Sequence, residues 1–336
     1  MTRRLSIAAL AALLFAGTAG AQQTQIRGFT DVTYRVGERG TEPSAFGLGQ
    51  FDLYITSKLD NHFNFLGETV FEYDEGFIVD VERVIVSWEP RNWFNVAMGK
   101  HHTPIGYWNN AYHHGAVLQP TIERPLMFKF EDEGGVFPIH TTGILLAGRD
   151  IGPLHLGYDL MVGNGLGSTP TADDDPRKSV TAQLRTELTS TLTVGVSAYD
   201  DRVSAGVPTL AGDTLTVAMT QRMGGAFVTY LGAQVEVMAE FQRVMNHLEN
   251  DGNRKTNASY AYAGYHLGSI VPYVRVDRID FDLTDPYFVA ADARMMLAGV
   301  RYDFSAAGAV KVEARDRKLG DAKALREIAA QVAIGF

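Results

Sequence analysis

Over most of the chain, hydrophobic and polar side chains alternate one by one. In FDLYITSKL, Phe51, Leu53, Ile55 and Leu59 share one face, and Asp52, Tyr54, Thr56 and Lys58 the other. In HFNFLGETVFEY, Phe63, Phe65, Phe71 and Tyr73 oppose Asn64, Glu68 and Glu72. The same period sets Val180, Ala182, Leu184 and Leu188 against Thr181, Gln183, Arg185 and Glu187. AQVEVMAEFQR sets Val235, Val237, Ala239 and Phe241 against Gln234, Glu236, Glu240 and Gln242. The last residues, EIAAQVAIGF, put Ile328, Ala330, Val332, Ile334 and Phe336 on one side. A period of two is that of a strand whose two faces meet different surroundings. The chain is predicted to be all-β.

The links between these runs take turns in length. LDNH (59–62), EPRN (89–92), RDIGP (149–153), TST (189–191), YLGA (230–233), LGS (267–269) and SAAG (305–308) are tight. GERGTEPSA, NGLGSTPTADDDPRK, NHLENDGNRKTN and LTDPYFVA read as longer polar loops. Short turns at one end and long loops at the other are the layout of a transmembrane antiparallel β-barrel, with lipid outside and water inside. A soluble sandwich also alternates, but repetition from end to end favours the barrel. Counting runs gives about 16 strands, with 14 to 18 allowed by two ambiguous stretches, 78–101 and 213–232. In the second, a single strand bulged at Gly224-Gly225 or two strands both fit. A barrel this wide leaves an aqueous channel. Tyr34, Tyr73, Trp88, Trp93, Tyr230, Tyr302 and Phe304 sit near strand ends, where interfacial aromatics belong. After the first residues no run approaches the roughly 18–20 apolar residues of a spanning helix; closed barrels cross without one.

The ends fit this picture. MTRRLSIAALAALLFAGTAGAQQ has a basic start at Arg3 and Arg4, an apolar middle and a small-residue site at Ala19-Gly20-Ala21. This predicts a signal peptide over 1–21 and a barrel over 22–336, exported to the cell outer membrane. The terminal Phe336 on the apolar face resembles the signal by which bacterial outer-membrane barrels engage the barrel-assembly machinery. There is no cysteine, which excludes disulfides, thiolate metal sites and cysteine nucleophiles. The formal net charge of −9 argues against a nucleic-acid partner. No cofactor is implied; the expected partners are outer-membrane lipid and small hydrophilic solutes.

Residues 102–140 are the longest stretch without clean alternation. They open on HHTPIGYWNNAYHHG (101–115), which holds four of the nine histidines. Long loops in compact structures are usually functional or disordered. With Trp108, Tyr112, Leu126, Met127, Phe128, Phe130 and Phe137, this one needs a surface to pack on, and the inner barrel wall is the nearest.

NVAMGKHHTPIGYWN resembles the strand-then-G-x-x-x-T-P-x-G segment of Gram-negative outer-membrane porins related to the phosphate-selective porin O and P group. LQPTIERPLMFKFEDEGGVFPIHTTG resembles the inward-folded loop that follows it there. The motif-like part spans Gly99–Gly143, and the architectural likeness covers essentially the whole chain. The resemblance implies a porin with a lumen-narrowing loop, possible as a homotrimer, although no lipid-side patch of small or aromatic residues stands out as a trimer contact. A dense basic cluster of the phosphate-selective kind is missing: Lys100, Arg124 and Lys129 are balanced by Glu123, Glu131, Asp132 and Glu133. The expected constriction residues are Lys100, His102, His113, His114, Glu123, Arg124, Lys129, Glu131 and Asp132. Lumen-wall charges are expected from Arg27, Asp52, Lys58, Glu68, Glu72, Arg185, Glu187, Glu236, Glu240, Arg275, Lys311, Glu313 and Arg315.

Adjacent strand histidines point to opposite sides, so His101 and His102 do not share an ion without a bend. In an irregular loop His113 and His114 do, with Glu123 or His140 as completing ligands. No recognised ligand spacing is present, so no metal site is assigned. The expected function is passive diffusion of small solutes and ions. The alternatives are a substrate-selective, anion- or phosphate-type channel, a structural or adhesive barrel, and a barrel hydrolase. Without a G-x-S-x-G motif or a Ser–His pairing there is no catalytic residue to assign, and the chain is read as a non-enzyme.

Overall fold

The computed structural model describes residues 23–37, 44–73, 77–113, 115–129, 134–167, 173–249, 251–288 and 290–336. The predicted leader, 1–21, lies outside them.

Sixteen strands form one closed sheet. The first eight are β1 (Gln23–Gly37), β2 (Ala45–Lys58), β3 (Phe63–Tyr73), β4 (Phe77–Arg91), β5 (Phe94–His102), β6 (His140–Ile151), β7 (Leu156–Gly163) and β8 (Ser179–Glu187). Then follow β9 (Leu192–Val203), β10 (Met219–Leu231), β11 (Val235–Leu248), β12 (Gly252–Tyr265), β13 (Ile270–Asp280), β14 (Ala293–Ser305), β15 (Gly308–Leu319) and β16 (Leu325–Gly335). Each pairs antiparallel with its chain neighbours, and β1 pairs β16 from Phe29↔Gly335 to Gly37↔Glu327. The seam closes on Gly28 and Phe336, whose backbones exchange hydrogen bonds of 2.8 and 2.9 Å. Closure removes both sheet edges, the condition for placing strands in hydrocarbon. Among the described residues no helix is long and apolar enough to cross a membrane.

The alternation sorts as the barrel reading requires. Met98, Ile144, Val196, Val274, Met296 and Ile328 stand exposed on the outer face. On the inner face Asp52, Glu68, Gln183, Gln242, Lys311 and Glu313 are buried. Two sequence expectations need correction. The predicted loop NHLENDGNRKTN is a strand continuation: β11 and β12 pair down to Leu248↔Gly252. Asn246 and Thr256 point into the barrel and are fully buried there, while His247, Glu249, Asn253 and Lys255 are exposed. In 213–232 there is one strand, 219–231, and its ladders run through Gly224-Gly225 without a register shift.

One irregularity bears on the site. Between β3 and β4 the register steps from Glu68↔Arg83 to Thr69↔Val81, which makes Glu82 the extra residue of a β-bulge. A bulge re-aims side chains; here Glu82 is 4% exposed while Val81 and Val84 on either side stay on the outer, exposed face.

Candidate functional site

The described residues of the connection between β5 and β6 (103–113, 115–129 and 134–139) run inside the barrel, and charged side chains on the far wall hold them there. A short helix, α1 (Trp108–Ala111), starts over Glu240 of β11. That carboxylate accepts the backbone N–H groups of Tyr107 (2.7 Å) and Trp108 (2.8 Å) and the Tyr260 hydroxyl (2.7 Å). It thereby satisfies N–H groups that the first helical turn leaves without partners. On β8, Gln183 donates to the Gly106 carbonyl at 2.8 Å. On β13, Arg275 donates to Thr121 Oγ1 (2.5 Å) and to the carbonyls of Glu123 (2.6 Å) and Arg124 (3.2 Å). On β15, Lys311 donates to the Ala116 carbonyl (2.5 Å), and Glu313 accepts from Ile122 N–H (2.7 Å).

This changes the role expected for the wall. Glu240, Arg275, Lys311 and Glu313 were placed correctly on the inner face, but they are engaged with the loop rather than lining water. A buried charge stays where hydrogen bonds replace its hydration, and loop backbone supplies them.

Below the loop the barrel is dry on one side. Ile105, Trp108, Leu126, Met127, Phe128, Phe137 and Ile139 join Tyr199, Met219, Met238, Tyr260, Tyr262, Tyr273 and Met295 of the wall in one buried apolar cluster. This fills the half of the bore lined by β9–β14. Two polar clefts remain along the opposite wall. One, about 360 Å³, lies between the loop (Gln119, Glu123, Arg124, Lys129) and Asp31, Thr33, Arg35, Gln50 and Gln331. The other, about 590 Å³, lies lower on the same wall, against Gln25, Ser57, Lys58, Asn64, Ser87, Asn95 and His101.

Glu123 sits at the crossing of these groups. Its carboxylate is 2.7 Å from Arg315, 2.9 Å from Arg35 and 3.7 Å from Lys129. Arg315 also contacts Glu313 (2.8 Å) and Glu327 (2.9 Å). Burial pushes the Glu123 carboxyl up, but Arg315, Lys129, Arg35 and Arg275 outweigh it and hold the group well below the usual carboxylate range.

Of the residues expected at the constriction, Glu123 and Lys129 therefore meet. Arg124 turns back to the loop's own carbonyls, His113 at 2.5 Å and Phe128 at 3.3 Å. Lys100 lies apart from this group, donating to the Val81 carbonyl (2.7 Å) with Asp80 at 3.7 Å. His102 and His113 stack at 3.8 Å between ring centroids, with the His140 ring 4.6 Å from His113. His114, Glu131 and Asp132 lie outside the described residues. Sequence reasoning missed Arg35, Gln183, Asp277 and Glu327. Asp277, which accepts from Leu126 N–H (3.3 Å) and Arg275 Nε (3.0 Å), shares the parity of Arg275 two residues before it, and Glu82 alternates with the outward Val79 and Val81, so the register could have found both.

With fold and loop in place, comparison with solved structures is informative. The chain has a porin-type barrel. It is similar to the anion-selective porin from Comamonas acidovorans at 13% identity, with 94% of this chain and all of that one covered and a TM-score of 0.68. It is similar to OmpF of Salmonella typhi, solved with daunomycin, at 12% identity, 94% and 98% coverage and a TM-score of 0.68. It is also similar to in-vitro folded OmpT of Vibrio cholerae in its trimer form, at 13% identity, 94% and 100% coverage and a TM-score of 0.67. No protein-family model and no curated protein matches the sequence. At these identities the likeness speaks for the fold of the porin-type barrel alone.

Proposed function

We propose that this chain is an outer-membrane porin, a passive diffusion channel for small hydrophilic solutes and ions whose size limit is set by loop 103–139. The observation that carries the reading is the loop itself. It is held across a closed sixteen-strand wall by Glu240, Arg275, Lys311 and Glu313, and polar clefts stay on the β1–β6 side. A wall that served only to anchor or adhere has no need of a charged internal loop bordered by clefts of about 360 and 590 Å³. In this reading the leader is cleaved on export, Phe336 engages the assembly machinery, three copies assemble as a homotrimer, and no reaction is catalysed. The test is single-channel conductance of the refolded protein in a planar bilayer, with and without a deletion inside 116–122. Discrete steps that grow on shortening the loop support the reading; a correctly folded barrel that never conducts overturns it.

A second reading, an anion-preferring channel of the phosphate-selective type, is supported by one feature: Arg35, half exposed, and Lys129 share the Glu123 carboxylate with Arg315, whose own charge is further met by Glu313 and Glu327. The sign of the reversal potential in a KCl gradient decides between it and a general or cation-preferring pore.

A further inference from the structure

Where the infolded loop leaves and rejoins the wall, three histidines distant in sequence come together. His102, the last residue of β5, lies directly opposite His140, the first of β6, in the ladder. His113, just past α1, folds back onto both. One ring nitrogen from each lies within 4.8 Å of the others. Neutral imidazoles in such a group are the ligand set that suits first-row divalent ions, zinc, nickel and copper among them.

The surroundings orient two of the rings. Asn109 Nδ2 donates to the Thr103 carbonyl (2.9 Å) and the Ile139 carbonyl (3.3 Å), which settles its amide orientation. Its Oδ1 must therefore accept from His113 Nδ1, 2.9 Å away, and this puts the His113 lone pair on Nε2. His140 Nε2 lies 2.7 Å from a Glu82 carboxylate oxygen, an ion-pair contact that holds the ring in place. A carboxylate or amide on the far nitrogen of a histidine is the arrangement that orients metal-binding imidazoles. Glu82 is the extra residue of the β4 bulge and points inward while Val81 and Val84 stay outside.

We propose that His102, His113 and His140 bind one divalent transition-metal ion of the zinc class, with Glu82 and Asn109 orienting His140 and His113. Tetrahedral bonds of about 2.0–2.1 Å set ligand nitrogens about 3.3 Å apart, so binding turns the stacked His102 and His113 rings until their in-plane lone pairs converge, and water or a solute atom completes the coordination. His140 keeps 16% of its side chain in solvent, which provides the entry. Because two ligands stand at the roots of the loop and the third on the loop itself, the ion staples the loop to its own base.

The test uses the full chain refolded in detergent, stripped with chelator and titrated with Zn²⁺ by calorimetry and with Co²⁺ by visible absorption. No channel measurement enters, so the outcome is independent of the porin reading. The expected result is one Zn²⁺ per chain, intense Co²⁺ d–d bands of a four-coordinate site displaced by Zn²⁺, and slower proteolysis within the loop when metal is bound. His102→Ala and His113→Ala each abolish the Co²⁺ bands. Glu82→Gln keeps the stoichiometry and weakens affinity roughly 10–100-fold. His155→Ala, at the exposed His155 on the opposite rim turn, leaves binding unchanged. Folding of each variant is read from heat-modifiable gel mobility. If a histidine variant fails to fold, the wild-type Co²⁺ spectrum and loop protection decide by themselves. No stoichiometric binding, octahedral Co²⁺ bands only, or binding that survives in folded His102→Ala and His113→Ala overturns the proposal.

Discussion

The carboxylate of Glu240 on β11 caps the helix that begins at Trp108, accepting its N–H at 2.8 Å from across the bore. Two residues 132 positions apart thus decide where the loop lies. Glu240→Gln preserves the shape but exchanges a carboxyl oxygen for an amide group carrying two donors. A hydrogen bond contributes about 0.5–1.5 kcal/mol net, and three converge here. Under the porin reading, the variant barrel folds normally and conducts in larger, noisier steps than wild type in planar bilayers. Unchanged steps would mean that the remaining wall contacts from Gln183, Arg275, Lys311 and Glu313, with the apolar cluster, hold the loop without Glu240.

That cluster has its own weight. Trp108 is 1% exposed, packed edge-on against Tyr260 at 5.7 Å between centroids. Truncating a buried tryptophan costs about 3–5 kcal/mol. The wall ladders do not depend on it, so Trp108→Ala is expected to free the loop without opening the barrel. Limited proteolysis should cut within 103–139 while gel mobility still shifts on heating. Loss of that heat shift would show that loop docking and barrel closure are one cooperative unit.

Acid should leave the constriction charge in place. The Glu123 carboxyl is held below the ordinary carboxylate range, so its ion pairs contribute fully above the unfolded-state value of about 4.3. That contribution fades only as pH falls through the depressed folded value. Reversal potential in a KCl gradient is therefore expected to carry no Glu123 titration between pH 8 and about pH 4.5. Glu123→Gln leaves Arg35 and Arg315 with one less counter-charge and shifts the reversal potential toward anion preference at pH 7.

Much of this was legible in the sequence for a physical reason. A wall with lipid on one side and water on the other imposes a period of two, and Val235, Val237 and Phe241 announce it as plainly as Glu236 and Glu240. The loop announced itself by breaking that period while staying aromatic. Partners were not legible. Nothing in the local pattern around Lys311 or Arg275 says that their charge meets loop carbonyls instead of water, because that depends on contacts 150 or more residues away. His102, His113 and His140 likewise share no spacing rule; only the hairpin register and the fold of the loop bring them together. Glu82 keeps the parity set by Val79 and Val81, but the bulge turns Arg83 beside it inward as well, to Glu68, and that switch of phase has no local signal.

The seam offers a test of closure itself. Gly28 exchanges both backbone hydrogen bonds with Phe336, and the Phe336 ring lies over its α-carbon. A Cβ at Gly28 would sit 2.5 Å from the ring's Cζ and 2.8 Å from the Asp52 carbonyl oxygen. The ring can swing away toward lipid, but the Asp52 carbonyl belongs to the β1–β2 ladder and cannot move without breaking register. Forcing atoms into a packed site costs about 1–3 kcal/mol, and here the cost falls on β1 where it pairs with β2, directly beside the β1–β16 seam. Gly28→Val should refold more slowly from urea into lipid vesicles than wild type, and to a lower yield, by the heat-modifiable gel shift. Gly224→Val, where an added Cβ meets nothing within 4 Å, should refold like wild type. Equal rates for all three would show that β1 takes its place between β2 and β16 after the rate-limiting step.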